Sequence, residues 1–185
     1  MDAFEDRLLV WRLRRGSRES LCHVYEKYVR VLLTVAANTL GDPGTAQDVV
    51  QDVFVNLARC ARTLPRTTCL KAFLVTCAVN RCRDLVRQRS RRNTVGMDDA
   101  DQFVCGQDGP VHLAESSEIS SRLQAALARL PAEQREAIVM HLHADMSFRA
   151  IAAATDVSLR TAQSRYRYGV DRLRILLNHE APDET

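Results

Sequence analysis

The sequence predicts an all-α fold: two small helical domains joined by an acidic flexible linker. Three observations predict it. Apolar residues recur at three- and four-residue spacing along most of the chain, and no stretch alternates for long enough to form a strand. Aromatic residues make up only 5% of the sequence, which disfavours a β-sandwich. The helical period is lost over 93–116, where Gly, Asp and Pro110 gather, and this break divides the 185 residues into two units.

The first helix spans Asp2–Arg15 and stops at Gly16. Ser17 caps a second that runs to Leu40 and is ended by Gly41. The turn Gly41-Asp-Pro-Gly44 leads to a third, over Thr45–Arg62. A short loop follows, and Thr68 caps a fourth helix that ends near Arg91. These elements form a first domain, 1–92. Beyond the linker, helices are expected at Ser117–Arg129, at Pro131–His143 with proline at the start, at Ser147–Thr155 and at Leu159–Leu177. They form a second domain, 117–178, and 179–185 is a tail.

Composition excludes several classes. No apolar run approaches the ~18 residues a membrane span needs. Met1–Arg15 mixes acids, bases and apolar residues, unlike a signal peptide, so a cytoplasmic location is expected. Six cysteines, Cys22, Cys60, Cys69, Cys77, Cys82 and Cys105, show no CxxC pair and no zinc spacing. Cys22–His23 and His141–Leu–His143 are too close in sequence to converge from one helix on a metal. They read as reduced thiols and solvated histidines, and no cofactor or metal is expected.

Net charge is only +3, but it is distributed unevenly. From Arg59 to Arg92 ten bases stand against one acid, Asp84; from Asn93 to Ser121 there are six acids and no base. A basic block of this kind suits a polyanion, because each neutralised phosphate releases counterions.

Three helix faces exceed what packing requires. On the third helix Ala46, Val49, Val50, Val53, Phe54 and Leu57 form the core face. The opposite face carries Asp48, Gln51, Asp52, Val55, Arg59 and Arg62, either a solvated surface or a docking strip for a protein. On the fourth helix Leu74, Val75, Ala78, Cys82, Leu85 and Val86 point inward. Its outward stripe of Phe73, Thr76, Asn80, Arg83, Asp84, Arg87 and Arg91 suits single-stranded nucleic acid, with a ring to stack bases and arginines to follow phosphates. The third surface is a helix-turn-helix, Ser147–Thr155, Asp156-Val157 and the helix opened by Ser158. Ala152 permits a close crossing, and Asp156 tolerates the left-handed turn. Leu159, Ala162, Tyr166, Val170, Leu173 and Leu177 line its inner face. Arg160, Thr161, Gln163, Ser164, Arg165, Arg167 and Tyr168 are placed to read a major groove. A plain three-helix bundle has the same spacing.

These strings resemble a known family. Ala46-Gln-Asp-Val-Val-Gln-Asp-Val-Phe54, Phe73-Leu74 and Ala78-Val-Asn80 are similar to conserved region 2 of sigma-70 factors. Leu130-Pro131, Met146-Ser-Phe-Arg-Ala-Ile-Ala152 and Thr161-Ala-Gln-Ser-Arg-Tyr-Arg-Tyr-Gly169 resemble region 4. Two regions and a short linker are the layout of extracytoplasmic-function (ECF, group IV) sigma factors. The resemblance implies a subunit of RNA polymerase without catalytic residues. Asp48, Gln51, Asp52 and Val55 would dock on the β′ clamp helices of core RNA polymerase. The loop Leu64–Cys69, with Leu64 and Arg66, and the stripe Phe73, Thr76, Asn80, Arg83, Arg87 and Arg91 would bind and melt the promoter −10 element. The recognition helix would read the −35 element, and region 4 would touch the β flap. The acidic linker would run near the catalytic cleft, and an anti-sigma factor is a common partner in the family. Tryptophan is common in the family where Phe73 stands, and glycine where Asp156 stands.

Two rival readings call for features of their own. An autonomous helix-turn-helix regulator would bind duplex DNA without polymerase, and needs a βα receiver or ligand pocket that 1–92 does not offer. A nuclease needs clustered metal carboxylates, a nucleophile–base pair or a phosphate-binding glycine loop, and the sequence has none of these.

Overall fold

The computed structural model describes residues 2–65, 69–95 and 118–179, and there is no strand among the described residues. Helix α1 spans Asp2–Arg14 and α2 spans Arg18–Leu40. Gly16, at φ 82°, ends the first helix; Ser17 caps the second by accepting the Ser20 N–H. Gly41 closes α2 in the left-handed region at φ 73°, donating its N–H to the Ala37 carbonyl.

Helix α3, Pro43–Cys60, begins before Thr45, the start that spacing suggests. Asp42 takes the cap, accepting the N–H groups of Gly44 and Thr45, and Pro43 fills a first position whose missing N–H costs nothing. After Cys60 the chain tightens into a 3₁₀ turn, Ala61–Thr63, instead of continuing as an α-helix to Arg62. Helix α4, Leu70–Val95, runs past Arg91 into the stretch expected to be linker. The proposed cap Thr68, positions 96–116 of the expected linker, the expected helix start Ser117 and positions 180–185 of the tail lie outside the described residues.

Helices α5 (Glu118–Ala128), α6 (Ala132–Leu142), α7 (Phe148–Thr155) and α8 (Leu159–His179) form the second unit. Ser147 caps α7, and Asp156 ends it at φ 54°, the left-handed turn the sequence anticipates. At the crossing of α8 and α6, Gly169 leaves no room for a side chain: an added Cβ would lie 2.8 Å from Ile138 Cδ1 and 3.3 Å from the Gln134 carbonyl.

The six core positions expected on α3 are all buried. On α4 Leu74, Val75, Ala78 and Cys82 are buried and Leu85 is half-buried, but Val86 is 41% exposed. The stripe continues on paper, yet the helix has outrun the bundle, and Val86–Arg91 is exposed throughout. Leu159 is likewise exposed, because it opens α8 before that helix meets α6.

The two units pack on each other. Helix α2 lies against α5 and α6, and α4 lies against α7. One continuous cluster joins Leu32, Leu57, Leu70 and Leu74 to Val139, Met140, Met146 and Ile151; a smaller one holds Leu127, Leu130 and Ile138. Each such side chain contributes about 1.5–3 kcal/mol when fully buried, so the apolar cluster that spans the seam holds the units together.

Candidate nucleic-acid interface

The α3 strip stands clear of the core. Asp48, Gln51 and Val55 are exposed, while half-buried Asp52 accepts the Arg81 Nε–H at 2.8 Å. Beside the strip an open groove is lined by Gln47, Val50, Phe54 and Ala58 of α3 and by Leu21, Tyr25, Val29 and Leu33 of α2. Tyr25 is half-exposed and tilts against Phe54 with ring centroids 4.8 Å apart. The α2 side of this groove was missed by the sequence reading, although its four apolar residues fall at a strict spacing of four.

The loop and α4 distribute their residues unevenly. Leu64 does not present its side chain for DNA: it is 3% exposed and packs in the core, and its carbonyl accepts a hydrogen bond from Arg14. The turn Ala61–Thr63 rotates it inward, which linear spacing does not reveal. Arg66 lies outside the described residues. Phe73 is half-buried against the core cluster, so only part of its ring is open to solvent. Thr76 bonds back to the Ala72 carbonyl at 2.7 Å. Asn80, Arg87 and Arg91 are exposed.

Arg83 is engaged rather than free. Its Nε–H donates to Glu136 Oε1 at 2.8 Å, its Nη2 bonds Glu136 Oε2, and its Nη1 donates to Asn80 Oδ1 at 3.3 Å. The hydrogen bonds to Glu136 hold the guanidinium pKa above its ordinary value against the opposing effect of burial. Glu136 escaped the sequence reading, since one acid inside a helix carries no signal of its own.

The helix-turn-helix is pinned from inside. His141, expected to be solvated, donates its Nδ1–H to the Met146 carbonyl (2.8 Å) and stacks on Phe148 with centroids 4.4 Å apart. Tyr166 meets both rings edge-on. This knot fixes α8 against α7. Ser158 caps α8 by accepting the Thr161 N–H at 3.0 Å. Arg160, Gln163, Arg167 and Tyr168 are then exposed along one face, with Ser164, Thr161 and Arg165 partly open beside them. Arg160, Gln163, Ser164, Arg167 and Tyr168 line a shallow depression, and the Arg167 guanidinium lies 5.0 Å from the Tyr168 ring centre. A cationic, hydrogen-bonding convex helix of this kind can enter a major groove.

The thiols sort by burial. Cys22 and Cys69 are exposed, Cys60 and Cys77 are half-buried, and burial pushes the Cys82 pKa up to about 12. No three His, Cys, Asp or Glu side chains converge on a metal-sized site among the described residues. No helix among them is long and apolar enough to cross a membrane.

Comparison with known proteins agrees with this geometry. Sigma-70 region 2 matches residues 24–92, and Sigma-70, region 4 matches 120–173. The chain is 30% identical over 133 residues to the ECF RNA polymerase sigma factor RpoE of Cereibacter sphaeroides, covering 70% of each. It is 30% identical over 135 residues to the ECF RNA polymerase sigma factor SigE of Mycolicibacterium smegmatis, covering 72% of this chain and 52% of SigE. Among solved structures, the sigma factor RpoE in complex with the anti-sigma factor NepR from Bartonella quintana superposes with TM-score 0.70 and 25% identity. That match covers 84% of this chain and 96% of the other. CnrH in complex with the cytosolic domain of CnrY shares the fold, with TM-score 0.70 at 21% identity over 95% of this chain and 99% of that one. The chain belongs to the extracytoplasmic-function RNA polymerase sigma factors of the sigma-70 family, with matches to regions 2 and 4.

Proposed function

We propose that this chain is a dissociable promoter-specificity subunit that acts in the cytoplasm and carries no catalytic chemistry of its own. Residues 1–92 dock on core polymerase and open the −10 element, 93–116 link, and 117–178 bind the −35 element. The α3 strip, Asp48, Gln51, Asp52 and Val55, together with the apolar groove beside it, seats on the β′ clamp helices. Helix α4 takes the separated strand: Asn80, Arg83, Arg87 and Arg91 hold phosphates and base edges, Thr76 lies on the same face, and the open part of Phe73 offers a stacking edge. Capturing bases already out of the duplex offsets an unpairing cost of a few kcal/mol. Helix α8 reads the −35 duplex through Arg160, Gln163, Ser164 and Arg167, and region 4 meets the β flap. An anti-sigma factor is a further candidate partner, as the sigma factor RpoE is solved in complex with the anti-sigma factor NepR.

The observation that carries this reading is order. A basic, water-facing stripe lies in the stretch matched by region 2, and a second lies on the recognition helix of the stretch matched by region 4. The test is transcription by core polymerase on a genomic fragment library, with and without this protein, followed by sequencing of the new transcript ends. New start sites preceded by a common pair of spaced elements are expected. A set of starts unchanged by the protein would end the proposal.

A further inference from the structure

Arg83 belongs to the strand-binding stripe, yet in this structure its fork faces the other unit of the same chain. The bidentate contact to Glu136 spans the seam between α4 and α6, with the Glu136 side chain 4% exposed and the Arg83 side chain 25% exposed. Next to Glu136 on α6, Gln134 Oε1 and Arg135 Nε are buried without a hydrogen-bond partner, and burial lowers the Arg135 pKa. A second pair, Lys71 Nζ to Asp145 Oδ2 at 2.8 Å, bridges the seam at the α6–α7 connection. Asp145 holds the left-handed backbone at φ 50° there.

Buried ion pairs add little net stability, but losing one partner strands the other charge. The seam therefore closes over Arg83 at far lower cost while Glu136 receives it. A carboxylate and a phosphate offer a guanidinium the same two-oxygen edge, so Glu136 occupies the donors that a nucleic-acid phosphate would take. Arg135 interacts electrostatically with Cys82 of α4, and its buried Nε without a hydrogen-bond partner makes the closed face of α6 a poor terminal resting place.

We propose that Glu136 is a built-in phosphate mimic: paired with Arg83, it latches the region 4 unit onto α4 and withholds that arginine from single-stranded DNA until the units part. The proposal rests on the strand-binding reading of α4 given above. Opening is a two-state event, biased by anything that binds the separated units more tightly than the closed pair. Core polymerase, which must engage the two units at promoter elements set apart along DNA, has that property.

The test uses the full chain and two readouts. Small-angle X-ray scattering gives the radius of gyration, and fluorescence anisotropy gives affinity for a labelled single-stranded DNA of mixed sequence. Glu136→Gln removes the charge at the buried end of the latch. Asp145→Asn removes it at the exposed end while tolerating the left-handed backbone, and circular dichroism checks that both variants are folded. Both are expected to be expanded relative to the parent chain, and Glu136→Gln to bind the DNA about fivefold more tightly or better. Arg83→Ala/Glu136→Gln is expected to be expanded without that gain. Parental size and affinity in folded Glu136→Gln would overturn the latch. Expansion with parental affinity would overturn the shielding of Arg83. Failure of the strand-binding reading is seen separately, as unchanged promoter melting by holoenzyme carrying Arg83→Ala, and leaves the scattering result untouched.

Discussion

Asp42 sets where α3 begins, and its ionisation makes that start depend on pH. The hydrogen bond from Thr45 Oγ1 and those from the Thr45 and Gly44 N–H groups hold its carboxyl below the ordinary range of 3.8, against the opposing effect of burial. A depressed folded-state pKa means the contribution is complete above the unfolded value and is lost as pH falls below it. Asp42→Ala should therefore cost about 1 kcal/mol in urea unfolding at neutral pH, and the gap from the parent chain should narrow below about pH 4. Gly169 makes a steric prediction. Gly169→Ala drives a methyl group into Ile138 Cδ1 and against the Gln134 backbone, so thermal unfolding should show a loss of about 1–3 kcal/mol. The expected turn at Asp156 could be read from sequence because one residue type suffices for it, whereas the crossing at Gly169 could not, since it depends on where two helices meet.

At the scale of the element, faces were legible wherever a helix is covered along its length. All six inward positions of α3 are buried, because α2 and α4 both pack against it. Prediction failed where an element overruns its neighbours or changes pitch: Val86 and Leu159 lie beyond the covering helices, and the 3₁₀ turn after Cys60 swings Leu64 into the core. The candidate site divides in the same way. Arg87, Arg91, Arg160, Gln163 and Arg167 are exposed as periodicity requires, while the partner of Arg83 comes from 53 residues away and leaves no local signature. Arg87→Ala should slow open-complex formation and lower its salt slope by about one, measured by permanganate reactivity of melted thymines across a salt series. Arg167→Ala should leave melting of a pre-opened promoter intact and weaken footprint protection over the upstream −35 duplex.

At the scale of the whole molecule, the closed arrangement has a pH dependence of its own. His143 is half-buried at the seam, and burial holds its pKa below the ordinary 6.5. Asp6, Lys27 and Tyr28 from the first two helices, Cys69 and Lys71 at the start of α4, and Asp145 from its own connection line the same hollow. A depressed histidine pKa favours the closed, neutral form at and above neutrality, and that advantage is lost as pH falls through about 6.5. The radius of gyration should rise between pH 7.5 and 5.5, and His143→Gln should flatten that rise. Docking on polymerase is the claim on which the rest depends, and equilibrium binding of the labelled chain to purified core RNA polymerase tests it most directly. The account predicts saturable binding that Val55→Asp weakens at least about tenfold, or ~1.4 kcal/mol, by placing a charge beside the apolar groove. Absence of binding, or binding indifferent to Val55→Asp, would contradict it.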